Sequence, residues 1–240
     1  MKMKKTILWK YLLVIVLGFA MFSCQKDDDE PEKIISTQEV VRNGNVIVEA
    51  SYRNELRKMY FILVSPSTAV VTRAVDFDPQ LTNRQYYRKV VIPREFEHMS
   101  QTYTVVGVKG NTFENCNKLT SLVMPNTITS IGPEAFSRCT ALESVVLPDH
   151  LERIVWMTFA HCTQIETIEI PASVESIEWN AFQYCSSLKT VVCQPSTPPF
   201  CTSYTFSDCP IQEIKVPQAS VAAYKASEGW KEYEDKIVGY

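Results

Sequence analysis

The 240-residue sequence predicts a solenoid of stacked 23-residue coils, with parallel strands, one short helical turn per coil and a cap at either end. Three observations predict it. A formula with apolar residues at its first, fourth and sixth positions starts at Leu119, Leu142, Ile165, Leu188 and Ile211, always 23 residues on. A proline closes the formula in the first three coils, at Pro125, Pro148 and Pro171. Phe136, Phe159 and Phe182 then keep the same period, as do Cys139, Cys162 and Cys185.

The elements follow in order. Residues 1–23 read as a secretory signal, because Lys2, Lys4 and Lys5 precede an apolar run from Tyr11 to Phe22, with Ser23-Cys24 after it. That run is shorter than the roughly 20 residues a spanning helix needs. Residues 24–33, with Asp27-Asp28-Asp29-Glu30, are charged and core-free, so a disordered tether is expected. Residues 34–102 read as an N-terminal β-rich cap. Val40 to Val48 suits a hairpin turning at Asn43-Gly44, the favoured two-residue connection. Tyr87, Val90, Ile92 and Pro93 reproduce the spacing of Leu119, Leu122, Met124 and Pro125 and predict a degenerate coil. Pro93 to Val108 is 15 residues where Pro125 to Ile131 is 6, so this coil carries nine extra, centred on Glu97 to Gln101 and expected as a surface loop.

Residues 103–216 form the solenoid proper. Leu122 and Met124 share one face of an extended segment, and Phe136 and Cys139 at i, i+3 suit one helical turn starting at Gly132-Pro133-Glu134. A single coil encloses no core, so it folds only by stacking. Gln194 adds one residue after Cys193, and a one-residue deletion between Cys209 and Ile211 cancels it. Register is held because a slip of one would turn a strand's buried face outward. Residues 217–240 read as a C-terminal cap, with a helix around Val221 to Tyr224, a stop at Gly229, and Trp230, Tyr233 and Ile237 covering the open end.

The coil Leu119, Leu122, Met124, Pro125, Ile128, Ile131, Gly132, Ala135, Phe136, Cys139 resembles the repeat of the BspA-like leucine-rich repeat family of surface lipoproteins. The resemblance covers Tyr103 to Val216, and Pro217, Tyr224 and Trp230 stand where that family's closing segment expects them. Two departures stand out. Val155 and Glu178 replace the family glycine kept at Gly132, and Thr127, His150 and Ser173 stand where commoner leucine-rich repeats carry a stitching Asn. The resemblance implies a leucine-rich repeat solenoid, lipid attachment at Cys24, display on the outer membrane at the cell surface, and an adhesin-like role towards an extracellular or host matrix protein. A glycan-binding accessory of an outer-membrane uptake system is the alternative.

Composition narrows the partners. The chain has 24 basic and 27 acidic side chains; without the four lysines of the signal 20 basic remain, a net charge of minus seven. Such a balance disfavours nucleic acid, and the membrane is expected to be met through the lipid anchor alone.

Chemistry finds little support. Cys116, Cys139, Cys162, Cys185 and Cys209 fall in one column and Cys193 takes the place of Ile170, so they read as small buried hydrophobes and free thiols. Cys201 alone is out of register and free to pair or react. No Cys-x-x-Cys, Gly-x-Ser-x-Gly or His-Glu-x-x-His occurs, which predicts no metal, no cofactor and no enzyme. Of the three histidines, His98 falls in the expected loop, His150 follows Pro148-Asp149, and His161 faces outward beside the cysteine column.

Two candidate binding surfaces remain. The outward strand positions form two columns that include Val123, Val146, Thr167, Glu169, Thr190 and Val192, which plain strand propensity also explains. Trp156 and Trp179 stand one coil apart and are expected to stack side by side, with His161 and Tyr184, also a coil apart, completing an aromatic patch. Shielding of the coil junction where the glycine is missing explains the tryptophans equally well.

Overall fold

Apolar side chains recur on alternate positions at two places in each coil, so the chain runs extended twice per turn and buries the same edge of both stretches. In the third coil, Ile168 and Ile170 are buried while Thr167 and Glu169 are exposed, and Ile177 is buried further on. The computed structural model describes residues 34–42, 45–52, 58–73 and 88–240. The expected signal, the tether with Cys24, the Asn43-Gly44 pair and Tyr87 lie outside the described residues. The described residues belong to one unit, Pro31–Tyr240.

The unit begins with β1 (Ile34–Arg42), β2 (Asn45–Tyr52), β3 (Lys58–Leu63) and β4 (Thr68–Thr72), joined antiparallel in that order. Arg42 pairs with Asn45, the hairpin register expected for a two-residue connection. After β5 (Arg88–Val91), the insertion is not a loop: β6 (Glu95–His98) and β7 (Gln101–Val108) form an antiparallel hairpin. Its turn residues Met99 and Ser100 have φ of 49° and 62°, the positive pair of a type I′ connection. The reason is the alternation Glu95-Phe96-Glu97-His98, which sends Phe96 and His98 inward and both glutamates to water. Phe96 stacks on Phe61 at 4.4 Å, and the His98 ring reaches back to β1, 3.1 Å from the Thr37 hydroxyl and 3.2 Å from the Glu39 carboxylate.

Two rows of parallel strands follow. In the first, β5 and β10 (Ser144–Val146) flank β8 (Leu119–Val123), with Val90 and Val145 both opposite Leu122, so the degenerate coil is in register. The row resumes through β12 (Thr167–Ile170), β14 (Thr190–Cys193), β15 (Glu213–Val216) and the closing strand β16 (Ile237–Gly239). Ile214 opposes Ile237, 23 residues on, so β16 adds one more rung. The second row starts within the N-terminal sheet, where β4 lies parallel to β7 and β7 to β9 (Ser130–Ile131). It resumes in β11 (Arg153–Ile154) and β13 (Ser176–Ile177), with a bridge from Ser176 to Phe200. Neither row is continuous: among the described residues β10 does not pair with β12, nor β9 with β11.

A third ladder crosses both gaps, and it corrects the expected helical turn. Between the second strand and the next coil the chain makes successive β-turns, with the Ala135 amide bonded to the Gly132 carbonyl at 3.3 Å and the Cys139 amide to the Phe136 carbonyl at 3.2 Å. Glu134 and Arg138, third in their turns, have φ of 55° and 61°, and Met157, His161, Asn180 and Tyr184 repeat this one and two coils later. Pro133 second and a positive φ third is the type II pattern. A helix would spend its amides within the turn; here those of Glu134, Phe136 and Arg138 donate to the carbonyls of Trp156, Thr158 and Ala160 in the next coil, at 2.8–3.1 Å. These contacts hold the residues in a backbone region that costs about 1–2 kcal/mol for a side chain with Cβ.

The core follows the coils. Phe113, Phe136, Phe159, Phe182 and Phe206 form one column, with ring centroids 5.3–5.5 Å apart and planes 9–13° from parallel. Below Phe206 the stack ends on Trp230 and Tyr233. Helix α1 (Val221–Ala226) packs Tyr224 beneath the last coil, its hydroxyl donating to the Pro195 carbonyl at 2.9 Å, while the Trp230 indole donates to the Pro199 carbonyl at 2.7 Å. Gly229 has φ of 83°, and any Cβ there would strike the Cys201 carbonyl.

At the position of the missing Asn, the Thr127 and Ser173 hydroxyls donate to the Val105 and Leu151 carbonyls of the coil before, at 2.7 and 2.8 Å, and a sulfur ladder runs at another register. The Cys139, Cys162, Cys185 and Cys209 thiols donate to the carbonyls of Phe113, Phe136, Phe159 and Phe182 in the coil before, at 3.0–3.3 Å. Cys139, Cys162, Cys185, Cys193, Cys201 and Cys209 are free thiols.

Candidate functional site

The outward strand columns keep the expected register, with Val123 opposite Val146, Thr167 opposite Thr190 and Glu169 opposite Val192. Val146 is 66 % exposed, Thr167 and Glu169 are exposed, and Val123, Thr190 and Val192 are half-buried. Their polar groups satisfy one another locally: Gln194 donates to Glu169 at 2.5 Å, and Lys215 pairs with Glu213 at 3.3 Å.

The turn ladder carries the aromatic residues. Trp156 and Trp179 are 43 % and 61 % exposed, because each follows the inward Ile154 or Ile177 by two residues and tops its turn. The expected indole stack does not form. No ring contact joins the two among the described residues; Trp179 instead approaches Tyr204 of the next coil at 6.4 Å and 51°. His161 and Tyr184 do stack, with centroids 4.7 Å apart. Partial burial, and then the nearby Arg138 charge, hold the His161 imidazole below its usual pKa, so it is neutral near pH 7.

An open cleft of about 410 Å³ lies where the second strand row meets this turn ladder. Arg153, Trp156, Ser176, Glu178, Trp179 and Phe200 line it, from three successive coils. Glu178, one of the two residues that replace the family glycine, is central. One of its oxygens pairs with Arg153, and the other accepts from the Trp156 amide at 3.2 Å. Sequence reading missed Arg153, Ser176, Glu178 and Phe200. Glu178 was visible as a departure from the repeat, whereas Phe200 gave no signal because it sits in the coil whose register the Gln194 insertion shifts.

Cys201 differs from its expected freedom: it is 2 % exposed against Gly229, and burial, then the Glu232 charge, pushes its thiol up to about 12. His98 is likewise buried, for the reason given above. Among the described residues no three His, Cys, Asp or Glu side chains converge as metal ligands, and no helix is long and apolar enough to cross a membrane.

A stack of coils with exposed strand columns and an aromatic flank defines a repeat scaffold. The profile of the BspA type leucine rich repeat region matches residues 107–226 in six copies, and the chain belongs to that family. It is similar to a leucine-rich repeat protein from Bacteroides capillosus, 31 % identical over 56 % of this chain and 93 % of that one, with a TM-score of 0.47. It is also similar to the leucine rich repeat protein of T. pallidum, 21 % identical over 79 % and 80 % of the two chains, with a TM-score of 0.57. A leucine rich cell surface protein from Faecalibacterium prausnitzii is 22 % identical over 77 % of this chain and 50 % of that one, with a TM-score of 0.45. The T. pallidum likeness shows the fold. No curated protein matches the chain.

Proposed function

We propose that this protein is a non-enzymatic, lipid-anchored scaffold on the outer surface of the cell, which binds an extracellular macromolecule through the aromatic flank of its solenoid. The observation that carries this reading is the cluster of Trp156, Trp179, Tyr184, Phe200 and Tyr204, all exposed on a fold whose core is complete without them. Aromatics left half in water contribute less to folding than buried ones, and grouped on one flank they have the composition of a binding hot spot. The rigid ladder beneath favours binding, since no loop has to be ordered on association.

Anchoring rests on Cys24 and on the charged run behind it, which would space the scaffold from the membrane. A host matrix protein is the partner this reading favours. Binding of the full-length protein to immobilised matrix proteins tests it, with Trp156→Ala plus Trp179→Ala as the control. Loss of binding with an unchanged unfolding midpoint supports the role, and unchanged binding removes it. Cys24→Ala is expected to release the protein from the membrane fraction, and retention there would disprove the anchor.

A further inference from the structure

We infer that the cleft between Arg153, Trp156, Glu178, Trp179 and Phe200 is a saccharide-binding subsite, taking one or two neutral sugar rings of a glycan chain. This rests on the scaffold reading above and names the chemistry of one of its contacts.

Trp179 and Phe200 are 61 % and 63 % exposed and Trp156 is 43 % exposed, so aromatic faces border the cleft without serving the core. A pyranose has apolar C–H faces and a rim of hydroxyls, and it needs an aromatic surface beside fixed polar groups. Glu178 and Arg153 supply that second part. The carboxylate is held at both oxygens, by the Arg153 guanidinium and the Trp156 amide, so its position is set before a ligand arrives. Its spare lone pairs can accept from hydroxyls, and the guanidinium retains further N–H donors.

Charge and backbone argue against other occupants. Arg153 and Glu178 neutralise each other, leaving no net charge to select an anion or a cation. Four backbone amides around the cleft are already spent: that of Met157 on the Trp179 carbonyl, that of Ile177 on Phe200, that of Glu178 on Ile154, and that of Trp156 on the Glu178 side chain. An extended peptide adding itself as a strand would find no free ladder to pair with. A volume of about 410 Å³, at the small end for ligand sites, suits a short stretch of glycan.

Intrinsic fluorescence tests the assignment. Trp156 and Trp179 are exposed, whereas Trp230 is fully buried and serves as a constant background, and Trp9→Phe removes the fourth tryptophan of the chain. The full-length protein is titrated with α- and β-linked glucose, xylose, mannose and N-acetylglucosamine oligosaccharides and, separately, with a proline-rich peptide. A saturable change with at least one sugar is expected. Trp179→Ala should weaken it by about tenfold or more, and Glu178→Gln, which keeps the shape, by about fivefold. No change with any sugar at millimolar concentration, a response to the peptide alone, or sugar binding untouched by Trp179→Ala overturns the inference. A matrix protein that still binds through the tryptophans while every sugar fails would remove the saccharide subsite and leave the scaffold standing.

Discussion

The thiol of Cys162 donates to the carbonyl oxygen of Phe136, 26 residues earlier and one coil away, at 3.3 Å. The same bond recurs at Cys139, Cys185 and Cys209, so sulfur crosses each of these coil junctions, beside the Thr127 and Ser173 hydroxyls that bond back to Val105 and Leu151 at the position of the absent Asn. A thiol is a weak donor, and the Phe136 carbonyl also accepts the Cys139 amide at 3.2 Å, so the sulfur fills the second acceptor position of an oxygen that already has a partner.

Cys162→Ala removes that second donor and opens a small void, and a loss of about 1 kcal/mol, most of it from the void, is expected from urea unfolding. Cys162→Ser keeps a hydroxyl donor and should lose less, whereas Cys162→Val, apolar and without a donor, should lose more than the serine variant. Equal stability for serine and valine would show that the thiol serves only as volume.

Phe159 has a ring neighbour on either side, Phe136 at 5.3 Å and Phe182 at 5.5 Å. Phe159→Ala should therefore cost about 3–5 kcal/mol, as for other fully buried aromatics. Because each coil holds only its neighbours, amide exchange should rise in the coils on both sides rather than uniformly. Uniform loosening would show that the rings do not transmit coil to coil.

Alkaline pH should unfold the protein early. Burial first, with smaller contributions from neighbours, pushes the Cys162, Cys193 and Cys201 thiols up, Cys201 to about 12. In the unfolded chain they titrate near about 8.5, so their contribution is complete below that value and is lost as pH rises from there towards 12. The urea midpoint should be level from about pH 7 to 8 and fall above about 9, by up to about 1.4 kcal/mol per pH unit for each thiol. A midpoint constant to pH 10.5 would contradict the burial of these groups.

Arg138 is exposed and holds φ of 61°, a conformation better suited to glycine. Arg138→Gly should raise stability by about 0.5–1 kcal/mol, the left-handed penalty outweighing the added chain entropy. It also removes a charge that depresses His161, whose pKa should move up towards the usual value in an NMR titration. A destabilised variant would mean that the Arg138 side chain makes contacts that matter more than its backbone.

Most of the architecture was legible because one period governed three registers at once. The inward Leu122, Val145, Ile168 and Val191 line, the Phe136, Phe159 and Phe182 column and the parallel strands all follow from 23-residue spacing. The β6–β7 hairpin was obscured because insertion length was weighed ahead of the alternation in Glu95-Phe96-Glu97-His98. The helical turn was misread for a subtler reason. A spacing of i, i+3 fits one helical turn and a β-turn alike, and only the destination of the amides, which is the next coil, separates them.

The sequence by itself determined which side chains face inward and how far apart the coils stand, since burial is a property of periodicity. Tertiary structure decided everything that depends on which groups of different coils meet. The sulfur ladder, the approach of Trp179 to Tyr204 and the pairing of Arg153 with Glu178 join residues about one coil apart, through contacts that the repeat permits but does not specify. Phe200 enters the cleft only after an insertion and its compensating deletion have set the register of the last coil. Spacing along a chain fixes direction relative to a core, whereas a surface site needs the positions of several side chains at once, and those exist only when the stack is assembled.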